Sequence, residues 1–210
     1  MNRPIVVAMT GASGSVYARR LLEVLLRSGR HVHLAISAAA AEVWEQELGW
    51  PLPLGAAFST DFLRLDDGPS VESHLQYFES QDYFAPMASG SYLTAGMVVC
   101  PCSGDTLSAI AHGAAGNLIR RAAEVHLKER RKLVLVPRET PLSLPSIENM
   151  RLVTQAGAVV LPASPGWYHG VRGVKELVDF VVARILQQLE VPTRLIPAWG
   201  MESTIESPLE

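Results

Sequence analysis

Ile5-Val6-Val7-Ala8-Met9 runs directly into Thr10-Gly11-Ala12-Ser13-Gly14-Ser15, after which Val16, Leu21, Val24 and Leu25 recur at helical spacing as far as Arg27. A short, fully apolar run closed by small residues reads as a buried strand, and the change of period marks a helix, so the stretch is strand, glycine turn, helix. Gly29 stops that helix, His31 to Ile36 supplies a second apolar run, and Ser37 precedes the alanine-rich AAAAEVWEQELG as an N-cap. Two βα units therefore stand in sequence.

From Trp50 to Met97 the pattern loosens into PLPL, DDGPS and ASGSY, with polar turns and scattered aromatics. Order returns at Met97 to Cys100, where Pro101 closes a strand ahead of SGDTLSAIAHG. Asn117 to Arg131 is the clearest amphipathic helix, and Leu133 to Val136 follows as another apolar run ending in PRETP. Ser146 to Ala156 reads as helix, Ala158 to Leu161 as strand, and Val174 to Leu189 as a closing helix with an apolar stripe through Leu177, Val178, Val181, Val182, Ile185 and Leu189. Residues 1–191 are expected to form one domain, with 192–210 as a C-terminal tail. Five strands separated by helices predict a single-domain, three-layer α/β fold with a mainly parallel sheet. In such a sheet ligands bind beyond the carboxyl ends of the strands, where TGASGS, SAAA, PCSGDT, PRETP and PASPG all fall.

Composition narrows the function. The 210 residues hold 18 Lys and Arg against 21 Asp and Glu, a formal charge of −3, which argues against phosphate-backbone contacts with nucleic acid. Only 19% of residues are charged while 48% are hydrophobic, less polar surface than a small monomer needs, so subunit contacts are expected. No apolar run is long enough to span a bilayer, and the N-terminus lacks a secretory pattern. Cys100 and Cys102 are too close for a structural disulfide and too few for a metal quartet. A reducing cytoplasm and no metal are expected.

Among residues that can carry chemistry, Gly11, Ala12, Ser13 and Gly14 let a ligand approach backbone at a helix N-terminus, suited to a phosphate or a flavin edge. The run is not G-x-G-x-x-G, so a plain tight turn is equally open. Ser37, and Ser103 with Gly104, Asp105 and Thr106, repeat the arrangement, with helix capping as the alternative. Fifteen of the basic residues are arginine, and the lysines are Lys128, Lys132 and Lys175. Lys128 shares a helical face with Arg121 and Glu124, and Glu124 to Lys128 has the spacing of a surface bridge. Arg138 and Glu139 sit between Pro137 and Pro141, as a phosphate clamp with a proton-transfer group or as a local ion pair. Tyr168 lies in the last loop. Arg184, the one charge after Asp179 in its helix, is expected to seek an anion.

TGASG, ASGS, PCS, NLIRRAAEVHLKERRKLVLVPRETP, GAVVLPASPGWYH and PAWG together resemble the flavin prenyltransferases of the UbiX and Pad1 type, over about residues 4–200. The resemblance implies a Rossmann-like (flavodoxin-like) domain assembled as a homododecamer. It implies transfer of a dimethylallyl group from dimethylallyl monophosphate to N5 and C6 of reduced FMN, giving prenylated FMN for a UbiD-type decarboxylase, including that of ubiquinone biosynthesis. It assigns flavin contacts to Gly11, Ala12, Ser13, Ser37, Ser103, Gly104, Asp105, Thr106 and Arg138. The donor phosphate falls to Lys128, Glu139, Tyr168 and Arg184, with Arg121, Ser89, Gly90 and Ser91 close by and some groups from neighbouring subunits. Glu47 and Trp199 match catalytic-site residues of the family, and the tail is expected over the site or on a neighbour. On this scheme Glu139 is the acid and base, Ser13 an orienting hydroxyl, Lys128 a stabiliser of the leaving phosphate and Trp199 a shield from water. Two departures stand out: Ala38 where relatives carry Lys, and Gly170 to Gly173 where they place a Pro. The rival readings are an FMN-dependent cysteine decarboxylase and a non-enzymatic flavin-binding protein.

Overall fold

In the computed structural model, which describes residues 3–65, 73–168 and 170–196, the Ile5–Met9 run is strand β1 and pairs in parallel with two others. The strands are β1 Ile5–Met9, β2 Val32–Ile36, β3 Leu75–Glu79, β4 Gly96–Cys102, β5 Leu133–Pro137 and β6 Val159–Val160. The α-helices are α1 Ser15–Arg27, α2 Ala38–Leu48, α3 Gly104–Ala111, α4 Leu118–Lys128, α5 Leu144–Gln155 and α6 Val174–Gln188. The sheet order is β3-β2-β1-β4-β5-β6 and each pairing is parallel. Of the two topologies the resemblance allows, this is the Rossmann order, with flavodoxin's being 2-1-3-4-5.

The sheet grows one way from β1 and the other way from β4, so right-handed crossovers carry the helices to opposite faces. Leu21, Leu22 and Leu25 of α1, Trp44 of α2 and Val181, Val182 and Ile185 of α6 bury against Ile5, Val7 and Met9. Leu107 and Ile110 of α3, Leu118, Ile119 and Ala122 of α4 and Val153 of α5 bury against Val6 and Ala8 on the other face. Successive β1 side chains alternate between these two cores, as a strand buried on both sides requires.

Two expectations need correction. The irregular stretch contains a sixth strand, β3, whose edge position leaves Gln76 and Glu79 exposed and breaks the apolar run that marks the others. Around it, Phe58 stacks on Tyr77 at 4.2 Å, and Phe62 packs edge-on to Trp44 at 5.1 Å, so this region is held by aromatics without periodicity. Pro101 also does not close β4, which runs on through a cis Cys100–Pro101 peptide to Cys102. Both thiols are free and buried, and burial pushes that of Cys102 up to about 12.

Two buried polar side chains tie helices down. Asp179 of α6 accepts from Arg20 Nε of α1 at 2.6 Å and from Lys175 Nζ at 2.6 Å, linking α1 to α6. His126 of α4 is fully buried, with Nδ1 2.7 Å from the Ala122 carbonyl and Nε2 2.8 Å from Thr94 Oγ1. A carbonyl only accepts, so Nδ1 donates, and Nε2 accepts a hydrogen bond from the Thr94 hydroxyl, which is the neutral ring. Burial lowers its pKa to about 4, opposed by the Ala122 carbonyl and reinforced by Arg131. The folded chain thus resists a proton that the unfolded chain accepts near 6.5. Stability should fall as pH drops from 6.5 towards 4, by at most roughly 3 kcal/mol from this residue. Urea unfolding of wild type and His126→Gln across that range should show the slope flattened in the variant.

Candidate active site

The carboxyl ends of the strands bring together most of the groups read from the sequence. Thr10, one residue past β1 and buried, donates its hydroxyl to the Pro101 carbonyl at 2.9 Å and accepts from the Ser103 N–H at 2.8 Å. The same side chain therefore fixes the β1 turn and the start of α3. The sequence reading passed over Thr10, although a hydroxyl at a strand end beside a neighbouring strand was the available signal.

Gly11 is required where it stands, because a Cβ there would lie 2.6 Å from that of Ala39 in the first turn of α2. At Gly14 the backbone has φ of 121°, and the Tyr17 ring would lie 3.0 Å from an added Cβ. The turns before α1 and α2 thus pack closer than any side chain would allow.

Ser37 caps α2 by accepting from the Ala40 N–H at 3.2 Å, and Ser103 caps α3 by accepting from the Thr106 N–H at 3.2 Å. Helix α1 begins at Gly14 with no cap of its own. Glu47, from the last turn of α2, supplies it: its carboxylate accepts from Gly14 N–H at 3.0 and 3.1 Å and from Ser15 N–H at 2.8 Å. Desolvation would raise the carboxyl's pKa, but hydrogen bonds from the Ser13 hydroxyl, the two N–H groups and the Ser15 hydroxyl hold it below the usual range.

Arg138 and Glu139 follow β5 and are exposed, and no ion pair joins them among the described residues. Glu139 Oε2 would lie 3.3 Å from a Cβ at Gly104, so its carboxylate rests on the first turn of α3. Asp105 in that turn pairs with Arg120 of α4. The first turns of α2 and α3, the Ser37 hydroxyl and Arg138 form a donor-rich rim, beside the Ser13 hydroxyl, which donates its hydrogen bond to Glu47. Gly11 and Gly104 keep that rim free of side chains. A planar ring system carrying one phosphate suits such a set, so the residues present fit FMN.

The donor-phosphate residues fall into separate groups: Arg121, whose Nε donates to the Ala88 carbonyl at 3.1 Å, and Lys128, through Glu129 lying against Gly90, gather at the Ser89 to Ser91 loop, while Glu139, Tyr168 and Arg184 lie elsewhere. Lys128, at the end of α4, pairs with Glu129 at 3.2 Å instead of Glu124, which takes Arg121 at 2.8 Å. Gly90, between Ser89 and Ser91, accepts from Arg131 just before β5, whereas Glu139 follows β5, roughly 16 Å away along a five-residue strand. Tyr168 packs edge-on to Phe180 at 5.7 Å. Arg184, one turn further along α6, is exposed and donates to Gln187 Oε1 at 2.7 Å, so it has no anionic partner among the described residues. Because α6 and α4 cover opposite faces, the sheet stands between Arg184 and Lys128. Trp199 and His169 lie outside the described residues. Ala38 is the exposed first residue of α2, and Gly170 has φ of 76°.

A family model described as Flavoprotein matches residues 1–186. Flavin prenyltransferase UbiX of Pseudomonas aeruginosa is 49% identical over 201 residues, covering 96% of each chain. The chain belongs to the UbiX flavin prenyltransferase family. Among solved structures it is similar to AnUbiX (PadA1) in complex with FMN and dimethylallyl pyrophosphate, at TM-score 0.83 and 36% identity, covering 97% of this chain and all of that one. It is also similar to a dodecameric FMN-dependent Ubix-like decarboxylase from Escherichia coli O157:H7, at TM-score 0.76 and 37% identity, covering 90% of this chain and 95% of that one.

Thr10→Val should leave the Ser103 N–H unpaired, while the Pro101 carbonyl keeps the residue-10 backbone N–H at 3.2 Å, lowering stability by about 1–3 kcal/mol in thermal unfolding, and Thr10→Ser should restore most of it.

Proposed function

We propose that this chain joins the dimethylallyl group of a prenyl phosphate to reduced FMN and releases phosphate. The observation that carries the reading is Glu139, an exposed carboxylate resting on the first turn of α3 in a rim that fits a flavin. Family membership separates the chain from the cysteine decarboxylases and from a mere flavin carrier. Gly11 to Ser13, Ser37, Ser103 to Thr106 and Arg138 would hold FMN, which when reduced and bound supplies the ring positions N5 and C6 that accept the prenyl carbons.

The chain's own part is electrostatic and protonic. Lys128 and Arg184, with Tyr168, Arg121 and the Ser89 to Ser91 loop, oppose the charge that grows on the departing phosphate oxygen. Glu139 gives and takes the proton that closing a new ring demands, and the Ser13 hydroxyl orients the reacting face. Trp199 is assigned to keeping water from the allylic carbon. Dimethylallyl monophosphate is the proposed donor, and a UbiD-type decarboxylase the consumer of the product.

Because the sheet separates Lys128 from Arg184, one chain cannot present both to one phosphate, and neighbouring copies must complete the site. A homododecamer is the proposed assembly. The exposed Phe84 (99%), Leu144 (70%), Trp167 (69%) and Val174 (72%) are the apolar surface that contacts between copies would cover. The tail is placed over the site or on a neighbour, and Leu195 at its start already packs on the core.

Anaerobic incubation with reduced FMN and dimethylallyl monophosphate should yield a flavin heavier by one prenyl unit together with free phosphate; unchanged flavin mass would end this reading. Replacing the monophosphate with dimethylallyl pyrophosphate should give slower product formation. Glu139→Gln should bind FMN as wild type does but form no product. Lys128→Met and Arg184→Met should each slow turnover about tenfold or more. Co-assembled from the two variants, mixed oligomers should regain part of the lost rate, since some sites then draw an intact Lys128 from an Arg184→Met copy and an intact Arg184 from a Lys128→Met copy. Absence of any recovery would mean that both cations come from a single chain.

A further inference from the structure

The end of the sheet where the strands begin, opposite the flavin rim, has a concavity of its own. A pocket of about 220 Å³ is bounded there by His31 and His33 at the start of β2, by Ser73, His74 and Gln76 at the start of β3, and by Tyr92 ahead of β4. Three of the chain's six histidines meet in it, and no carboxylate lines it among the described residues. His33 is 6% exposed, with its ring stacked on Tyr92 at 5.5 Å and tilted on Phe78 at 5.0 Å, and its Nδ1 is enclosed without a hydrogen-bond partner. An orphaned N–H is harder to bury than an orphaned acceptor, so the favoured tautomer leaves Nδ1 bare and carries its proton on Nε2, the edge left for the pocket. At the mouth the His31 and His74 rings lie 4.8 Å apart, and the Ser73 hydroxyl is 3.1 Å from His74 Nδ1.

We propose that this pocket is a second ligand site, which takes a small oxyanion of the phosphate or sulfate class between His33, His31 and His74. It lies at the far end of β2 from Ser37, so it is independent of the flavin reading and its occupant is an effector and not a substrate. The volume is below that of sites for drug-sized ligands, which leaves an ion or a very small molecule. Imidazoles and a hydroxyl with no carboxylate beside them offer hydrogen-bond donors that an oxyanion can use and a cation cannot. Other elements packed on His33 bring no unpaired negative charge. Val6 of β1 and Gln76 of β3 are its strand neighbours, Arg131 donates to the Tyr92 carbonyl at 2.7 Å, and on α4 the buried His126 is neutral while Glu124 is taken by Arg121. Burial, and then the neighbouring His31, keep the pKa of His33 below its ordinary value. A bound anion opposes both effects, so binding draws a proton onto the imidazoles and tightens as pH falls.

The test is equilibrium dialysis of the full, FMN-loaded protein with radiolabelled sulfate, an ion whose own charge is constant near neutrality. Wild type should bind one more sulfate per chain than His33→Phe, which keeps the ring stack and loses the nitrogens, while both prenylate flavin at the same rate. That extra sulfate should bind about tenfold tighter at about pH 6 than at about pH 8, as proton uptake by one imidazole requires. Equal sulfate binding by the two proteins, or equal affinity at the two pH values, would overturn the proposal. Modification of wild type by diethyl pyrocarbonate, mapped by peptide mass, decides alone if the variant does not fold. With sulfate at ten times its dissociation constant, His31 and His74 should react about tenfold more slowly, and unchanged rates would overturn the site. A protein that fails to prenylate flavin would end the flavin reading and leave these sulfate measurements to decide the histidine pocket.

Discussion

The hydroxyl of Thr10 holds the seam on which the site depends. At that seam β1 meets β4 and the direction of the sheet reverses, so the loops on either side diverge and leave a crevice. A crevice between diverging loops has no rigidity of its own. Thr10, on the β1 side, supplies it by accepting from Ser103 and donating to Pro101 on the β4 side, both under 3 Å and away from water. The starts of α1 and α3 thereby move as one body, and with them the groups that face a flavin.

Charge is distributed around this frame with unusual economy. With 19% charged residues there are few ions to spare, and those inside the frame are closely partnered: Asp179 with Arg20 and Lys175, Glu47 with two backbone amides. Lys128, Glu139 and Arg184 stay at the surface on three separate parts of the molecule. Their separation by a buried sheet is not a fault of folding. It is the arrangement expected of a chain whose chemistry belongs to a contact between copies, and it accounts for a surface that keeps large apolar side chains in water when a chain stands alone.

Much of this was legible in the sequence where burial on both sides forces a continuous apolar run. Ile5–Met9, Val32–Ile36 and Leu133–Pro137 announce themselves that way, and Ser37 and Ser103 announce their helices by capping chemistry. β3 did not, because at the sheet edge only Leu75 and Phe78 are buried, one in each core with exposed or half-buried residues between them, and its neighbours are joined by aromatic contacts that have no period. At the site, residue types and spacing pointed to the right strand ends. They could not show that Glu124 would choose Arg121 over Lys128, or that Arg184 would settle on Gln187, since both choices depend on rotamers at an exposed face. The bond from Glu47 to Gly14 spans 33 residues and leaves no local pattern at all.

Cys100 and Cys102 lie beneath the crevice with no exposure to solvent worth the name, and burial drives both thiols far above neutrality in their ionisation. Peroxide and disulfides react with thiolates, so neither sulfur offers the form that is attacked. Reduced flavins generate peroxide wherever oxygen reaches them. A protein built around such a molecule has its two oxidisable thiols sealed in the strand below, and no sulfur stands among the groups assigned to its working edge.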